Sequence, residues 1–438
     1  MRMVRASSLV CALLLLSAPA PRVARAASRP ESTWVDHYRA ALAAHRAGDI
    51  PGFRAQLLVV GGVLGDQPGV NYNLACAAAR LGDRDEALRR LRLYAASGLV
   101  RDVAADSDFV SLWSDGAFQE IAARIRANRD SVGTAREIHR FAHADLLTED
   151  LAYDPVSRSY FASTVHRGVV VEVQADGRER EWTDASARPG WGVFAACVDA
   201  KRRLLWTSVG ATPTTTGYVP SDSGRTGLVA WDLRTRTVAR RIDWPVDGQP
   251  HLLGDLTVAP DGTVYASDSP AGALREVRPG SDRLVTRIPS GLEGPQTPAM
   301  SGDGRRLYVA SYSRGIAVVD PRSGRYSWMT FAPGVGLQGI DGLYVLGHDL
   351  IAVQNGTRPV RVMRFHLDAA GTRVVGGEPI ERGTQRLGEP THGVVVGGKF
   401  CFLANTGWDR VGDDQVMKEG AGDPPRILEA DLVNLLIR

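Results

Sequence analysis

Residues 151–164 read Leu-Ala-Tyr-Asp-Pro-Val-Ser-Arg-Ser-Tyr-Phe-Ala-Ser-Thr, which is a short apolar run, a turn, and a second run rich in β-forming residues. The same pattern returns five more times, beginning at residues 195, 255, 298, 341 and 392. Short strands and Gly/Asp turns that repeat about every 40–50 residues are typical of a β-propeller, in which each repeat forms one blade. The repeats therefore predict a mainly β fold, a six-bladed propeller over residues 146–438.

A different pattern precedes the repeats, over residues 33–126. Residues 72–91 predict two helices joined by a turn at Gly82-Asp83, because apolar and small residues recur at helical spacing on both sides. Asn73-Leu-Ala75, Gly82 and Glu86-Ala-Leu88 resemble the tetratricopeptide repeat. A weaker copy precedes them, and a capping helix pair follows. We expect an α-helical domain at 33–126, a linker at 127–145, and docking of the helices on the propeller or on a protein partner.

The first 26 residues resemble a secretory signal. Arg2 and Arg5 precede an apolar run at 9–16, and Ala24-Arg-Ala26 offers a small-x-small cleavage site. The run is too short to span a bilayer, so we expect cleavage, no remaining membrane span and a periplasmic or secreted protein. A retained anchor is the alternative.

Charge and cysteine content exclude some classes of protein. The chain has 52 basic and 49 acidic residues, but four arginines lie within residues 1–26, which leaves 48 basic residues in the mature chain. This near balance gives no basic excess for nucleic-acid binding. Cys76, Cys197 and Cys401 are not spaced as a metal or redox motif, and we expect buried free thiols.

Carboxylates recur where the first strand of a blade begins. A propeller brings these positions to one axis, so the residues that start the six first strands are expected to form a ring. They are Glu149-Asp150, Phe194-Ala195, Gly254-Asp255, Gln296-Thr297, Ile340-Asp341 and Thr391-His392. Acidic residues also cap turns, which is the plain alternative for any one of them.

Converging carboxylates repel one another unless a cation lies among them. Oxygen donors suit a hard divalent ion such as calcium, and the candidate metal ligands are Glu149, Asp150, Asp255, Gln296 and Asp341. His392 either ligates a softer metal or acts as a base beside the ion. The loops between second and third strands open on the face where the first strands begin, which we call the mouth of the propeller. Their residues, His166 among them, are expected there.

At these residues the chain resembles the six-bladed calcium-dependent hydrolases, namely the gluconolactonase/regucalcin-like family and the paraoxonases. The resemblance covers about residues 137–438 and is carried by Thr148-Glu-Asp150, by residues 254–262 and by Ala404-Asn-Thr-Gly-Trp-Asp409. It implies that Glu149, Asp150 and Asp255 bind calcium. The chain departs from the family in blade two, where Phe194-Ala195 replaces the usual Asn, and in blade three, where Gly254 replaces Asn.

Two functions follow from different classes. The first is an exported metal-dependent hydrolase that acts on a lactone or ester at the axis, with His392 as the preferred base and His166 as the second candidate. The alternative is a non-catalytic extracytoplasmic propeller that binds a small ligand or a protein, with the helical repeats as its docking surface. The missing Asn residues favour binding, whereas the ring of carboxylates favours chemistry.

Overall fold

The computed structural model describes residues 33–182, 190–418 and 422–432. The predicted signal at 1–26 lies outside the described residues, so export stays a prediction. No helix in the described ranges is long and apolar enough to cross a membrane.

The first described residues form a helical unit of antiparallel helices. A capping box between Thr33 and Asp36 starts its first helix, and Asp83 caps the helix that follows the Gly82 turn, where φ is +77°. The Gly82 turn and the Asp83 cap agree with the predicted helix–turn–helix at 72–91. The helices are α1 Trp34–Arg46, α2 Ile50–Leu64, α3 Pro68–Arg80, α4 Arg84–Ala96 and α5 Gly116–Ala127, with a 3-10 turn at Ser107–Leu112.

The strands of the described residues form six sheets, which confirms the six-bladed propeller. The first strand, β1, is Arg136–Arg140. Blades one to three contain β2 Thr148–Asp154, β3 Ser159–Thr164, β4 Val170–Val173, β5 Glu179–Trp182, β6 Gly192–Asp199, β7 Leu204–Gly210, β8 Thr226–Asp232, β9 Val238–Asp243, β10 Leu253–Val258, β11 Val264–Asp268, β12 Ala273–Val277 and β13 Val285–Ile288. Blades four to six contain β14 Pro295–Met300, β15 Leu307–Ser311, β16 Gly315–Val319, β17 Tyr326–Trp328, β18 Thr330–Phe331, β19 Leu343–Leu346, β20 Asp349–Gln354, β21 Arg361–Leu367, β22 Arg373–Arg382, β23 Gly393–Val396, β24 Lys399–Ala404 and β25 Arg426–Asp431.

The ring closes between the two ends of the β region. Strand β1 pairs antiparallel with β25 and becomes the outer strand of blade six. Phe141, directly after β1, is 1% exposed. The predicted linker at 127–145 therefore supplies one strand of the propeller, which its short, half-polar sequence does not reveal.

Each of the first four inner strands carries a bulge near its start, where two residues face one residue of the second strand. Serine side chains hold the bulges of blades one to three. Ser163 Oγ accepts a hydrogen bond from Asp150 N at 2.8 Å and donates to Phe194 O of the next blade at 3.0 Å. Ser208 Oγ does the same between Ala195 N and Gly254 O. The serines therefore fix the axial residues and connect adjacent blades.

The helical unit docks on the propeller at blades four and five. The side chain of Gln67, 1% exposed, donates to Arg314 O at 3.2 Å and accepts from Leu337 N at 3.1 Å. Arg361, 2% exposed, donates from Nη1 to Ser97 O just beyond the end of α4, where the helix dipole favours a cation. These loops lie on the face where the inner strands begin, so the helices stand beside the mouth of the propeller.

Two shortened chains test the closure of the ring. One begins at residue 131 and keeps β1, whereas the other begins at residue 142 and lacks it. We expect the second to lose about 3 kcal/mol or more of unfolding free energy, because it loses the buried Phe141 and leaves β25 as an open edge. Thermal unfolding followed by circular dichroism measures the difference. Equal melting temperatures would contradict the closure.

Candidate functional site at the propeller axis

The bulges place polar side chains at the axis in two layers. Of the two bulge residues in an inner strand, the second is Asp150 in blade one and Asp255 in blade three. His392 takes the same position in blade six, because Leu403 N of the second strand donates to His392 O. The first position, nearer the mouth, holds Glu149. Asp341 also takes the first position, because Gly342 O accepts the hydrogen bond from Val353 N in blade five.

His392 is the centre of the cluster and is 0% exposed. Its Nε2 lies 3.1 Å from Asp255 Oδ1, which belongs to the blade on the opposite side of the ring, and 4.0 Å from Asp341 Oδ1. Its Nδ1 lies 2.9 Å from Glu149 O and donates to it, because a carbonyl oxygen can only accept. Nε2 is therefore the nitrogen that faces the carboxylates.

The remaining contacts fix the carboxylates individually. Asp150 accepts from Ala196 N at 3.0 Å and Leu151 N at 2.7 Å. Asp341 Oδ2 accepts from Asn355 Nδ2 at 2.6 Å, and Trp408 Nε1 donates to Glu149 Oε2. These bonds hold each carboxylate in place without supplying a positive charge.

The donor atoms fit a cation. Ligand atoms of Glu149, Asp341 and His392 all lie within 4.8 Å of one another. Asp255 Oδ2 and His392 Nε2 are buried, and neither has a hydrogen-bond partner among the described residues. Since Nε2 still has Asp255 Oδ1 at 3.1 Å, the atom without any partner is Asp255 Oδ2, and buried polar atoms are nearly always satisfied, which indicates a partner that carries positive charge. Carboxylate oxygens and one imidazole nitrogen are donors used by divalent metal ions.

The pKa values of the cluster show how strongly its buried carboxylates resist carrying charge together. Burial raises the pKa of Asp150 and of Asp341 to about 6, although the charge of His392 opposes the rise, and the charge of Asp255 adds to it in both cases. Burial and the neighbouring Asp341 raise the pKa of Glu149 well above its usual value. Burial lowers the pKa of His392, but Asp255 and Asp341 outweigh it and raise that pKa well above the ordinary range. The single imidazolium of His392 therefore does not balance the four carboxylates, and carboxylates that resist ionisation are the expected behaviour of an acidic cluster with too little positive charge.

Glu389 is a site residue that the sequence analysis missed. It is half-buried in the connection that enters blade six, three residues before His392. Burial and the charges of Asp409 and Asp341 raise its pKa to about 7, and the Asp409 N–H donates to its carboxylate. The neighbouring Trp408 holds Glu149, so one turn of blade six positions two carboxylates. The only sequence signal was its place just before an inner strand.

A cavity of about 230 Å³ follows the axis beyond the cluster. It is lined by inner-strand residues of all six blades, and Asp150 and Thr297 lie among them at the bulge. Since the lining residues follow the bulge in each strand, the cavity extends toward the face opposite the mouth. Cys197 lines it, and burial raises the pKa of its thiol to about 12.

The structure brings together five of the predicted site residues: Glu149, Asp150, Asp255, Asp341 and His392. Gln296 is half-buried at the first bulge position, next to Thr297, whose hydroxyl donates to Asp341 O at 2.8 Å. His166 is placed differently. Its ring nitrogens contact Thr214 O at 2.8 Å and Thr216 Oγ1 at 3.2 Å in the loop between β7 and β8.

Another group of potential ligands lies in the helical unit. It contains Cys76, Asp106 and Asp108. Both carboxylates already have partners, because Tyr72 donates to Asp106, and Arg80 and His45 contact Asp108. All three cysteines in the described ranges are free. The axial cluster is therefore the stronger candidate site.

Comparisons with known proteins give similarities of fold. No protein-family model and no curated protein matches the chain. Among solved structures, a gluconolactonase from Xanthomonas campestris is 18% identical, over 68% of this chain and 91% of that one, with a TM-score of 0.47. A putative gluconolactonase is 16% identical, over 68% and 92%, with a TM-score of 0.46. Virginiamycin B lyase from Staphylococcus aureus is 11% identical, over 68% and 99%, with a TM-score of 0.44.

The raised carboxylate pKa values predict how stability depends on pH. An aspartate whose pKa rises from 3.8 to about 6 on folding stabilises the protein below pH 3.8, and this contribution is lost as the pH rises through 6. In chelator, we expect the wild-type protein to lose stability between about pH 4 and 6. Asp341→Asn should remove on the order of 3 kcal/mol of that loss.

Urea unfolding across this pH range measures the effect, and Asp303→Asn, at an exposed turn, is the control. A wild-type protein whose stability rises between pH 4 and 6 would contradict the raised pKa of Asp341 in the folded state.

Proposed function

We propose that this protein is a hydrolase that acts on a lactone or ester at the mouth of the propeller and depends on a divalent metal ion. The observation that carries the proposal is the buried Asp255 Oδ2, which has no partner among the described residues and lies beside His392 Nε2. An acidic cluster of this kind is stable only when a cation or protons compensate its charge.

Glu149, Asp255, Asp341 and His392 would hold the ion. His392 suits a ligand better than a base, because it is 0% exposed and its Nδ1 already donates to Glu149 O, which leaves Nε2 to the ion. A bound divalent ion would polarise the substrate carbonyl and stabilise the developing oxyanion. Calcium follows from the resemblance to six-bladed hydrolases, whereas the imidazole nitrogen also suits manganese or zinc.

Glu389 is the proton acceptor in this proposal. It lies in the connection that enters blade six, near enough to Asp341 for that charge to help raise its pKa to about 7, which is close to the working pH of an acid–base group. It would take a proton from water as the water oxygen bonds to the carbonyl carbon. The same proton would then pass to the alkoxide oxygen released when the ester bond breaks.

The substrate class rests on the resemblance carried by Thr148-Glu-Asp150 and Ala404-Asn-Thr-Gly-Trp-Asp409. Half-buried polar side chains of the mouth, Tyr312 and Asn355, are bonded to each other at 3.2 Å next to Asp341 and would contact the polar part of a substrate.

Metal binding should stabilise the folded protein, because only the folded state brings the ligands together. At a hundredfold excess over its Kd, the ion should add about 2.7 kcal/mol to the unfolding free energy. Calcium, magnesium, manganese and zinc are each added to chelator-treated protein, and thermal unfolding is followed. Asp255→Asn should abolish most of the response, whereas Asp303→Asn should keep it. No response of the wild-type protein to any of these ions would reject the metal site.

Glu389→Gln tests the proton acceptor. We expect kcat for lactones or aryl esters to fall by about 10²–10⁴-fold, with the ion affinity unchanged, because the amide cannot accept the proton. His166→Gln is the comparison and should retain activity, since both ring nitrogens of His166 are engaged in a loop. Ion binding by the wild-type protein without turnover of any lactone or ester would instead support the binding-protein alternative.

A further inference from the structure

One connection in the propeller is held at four consecutive residues. It follows β18, the outer strand of the blade-five sheet, leads into the inner strand of the same blade and reaches Asp341. Gly336 O and Gln338 O both accept from Gln354 Nε2, at 3.0 and 2.7 Å, and Gly339 N donates to Tyr312 O at 2.8 Å. Between them, Leu337 N donates to the side chain of Gln67 at 3.1 Å.

Of these anchors, Gln67 belongs to the helical unit. It precedes α3, and its amide also donates to Arg314 O in blade four, so it joins two propeller loops. The approach is close, since a Cβ added to Gly336 would lie 2.7 Å from Pro68 Cγ. With an exposure of 1%, Gln67 has no competing contact with solvent.

A second path reaches the same connection from α4. Arg361 Nη1 donates to Ser97 O at 2.6 Å, and Arg361 Nε donates to Gln354 Oε1 at 2.8 Å. Gln354 in turn holds Gly336 and Gln338. The next residue, Asn355, donates directly to Asp341 Oδ2. Both paths from the helices therefore end at the segment that carries Asp341.

We propose that the helical unit positions the axial site: by holding the connection at 336–339, Gln67 keeps Asp341 in the geometry in which it binds the ion. Gln67 is a positioning residue in this scheme, since it touches neither ion nor substrate. The inference rests on the proposed metal site, and it makes the helices part of the site's construction rather than a separate docking module.

The test uses full-length Gln67→Met, which keeps the side-chain volume and removes both hydrogen bonds. Asn71→Ala is the matched control, because Asn71 is also 1% exposed and its amide bonds to Asp66 O and Arg90, which both belong to the helical unit. Gln354→Met removes the hydrogen bonds that hold Gly336 O and Gln338 O from the propeller side. It replaces Gln67→Met in the test if circular dichroism shows that Gln67→Met does not fold.

Two measurements are made on each variant. Amide hydrogen exchange over residues 336–343, without metal, reports whether the connection is held. Calorimetric titration with the ion that stabilises the wild-type protein reports the affinity of the site. We expect Gln67→Met to exchange faster in this segment and to bind the ion about tenfold more weakly, the scale seen when groups behind metal ligands are removed. Asn71→Ala should change neither.

Unchanged exchange in Gln67→Met would overturn the inference, and so would faster exchange with unaltered ion affinity. A wild-type protein that binds no ion would reject the proposed function instead, while the exchange data would still decide whether the helices hold the connection.

Discussion

The structure depends on one electrostatic constraint, which is the convergence of carboxylates on the propeller axis. His392 and Asp255 come from opposite blades and still approach to 3.1 Å, so the ring is narrow enough for side chains to meet across it. Asp150, Asp341 and Glu149 lie close by, and each has a raised pKa. Charges packed in this way destabilise a fold unless protons or a cation neutralise them.

The rest of the propeller supplies the rigidity that this arrangement needs. Serine hydroxyls join the bulges of neighbouring blades, and the helical unit fastens the connection that carries Asp341. Because the polar anchors Gln67, Gln354 and Arg361 are almost fully buried, each must be satisfied by its partners, which favours one arrangement of the loops over others. These hydrogen bonds therefore hold together acidic groups that would otherwise move apart.

Much of this could be read from the sequence, because blade repeats and a helical hairpin have strong local patterns. Five of the predicted axial residues meet because equivalent positions of the blades share the axis. The register of blade five was off by one, since Gly342 takes the second bulge position and Asp341 the first. Contacts between distant parts of the chain could not be predicted in this way. They include the pairing of β1 with β25, the position of Glu389 near Asp341, the contact of His166 with the loop between β7 and β8, and the hydrogen bond between Gln67 and Leu337.

The pairing of β1 with β25 also has a consequence for biosynthesis. Arg136 and its partner Glu429 are 293 residues apart in the sequence. At about 5–20 residues per second, a ribosome needs roughly 15–60 s to make that stretch, far longer than a helical hairpin needs to form. The helices can therefore fold while β1 still has an unpaired edge, and the ring can be completed only after the last blade has emerged. During this interval an exposed strand edge can pair with other chains, so newly made protein is more prone to aggregate than the finished molecule.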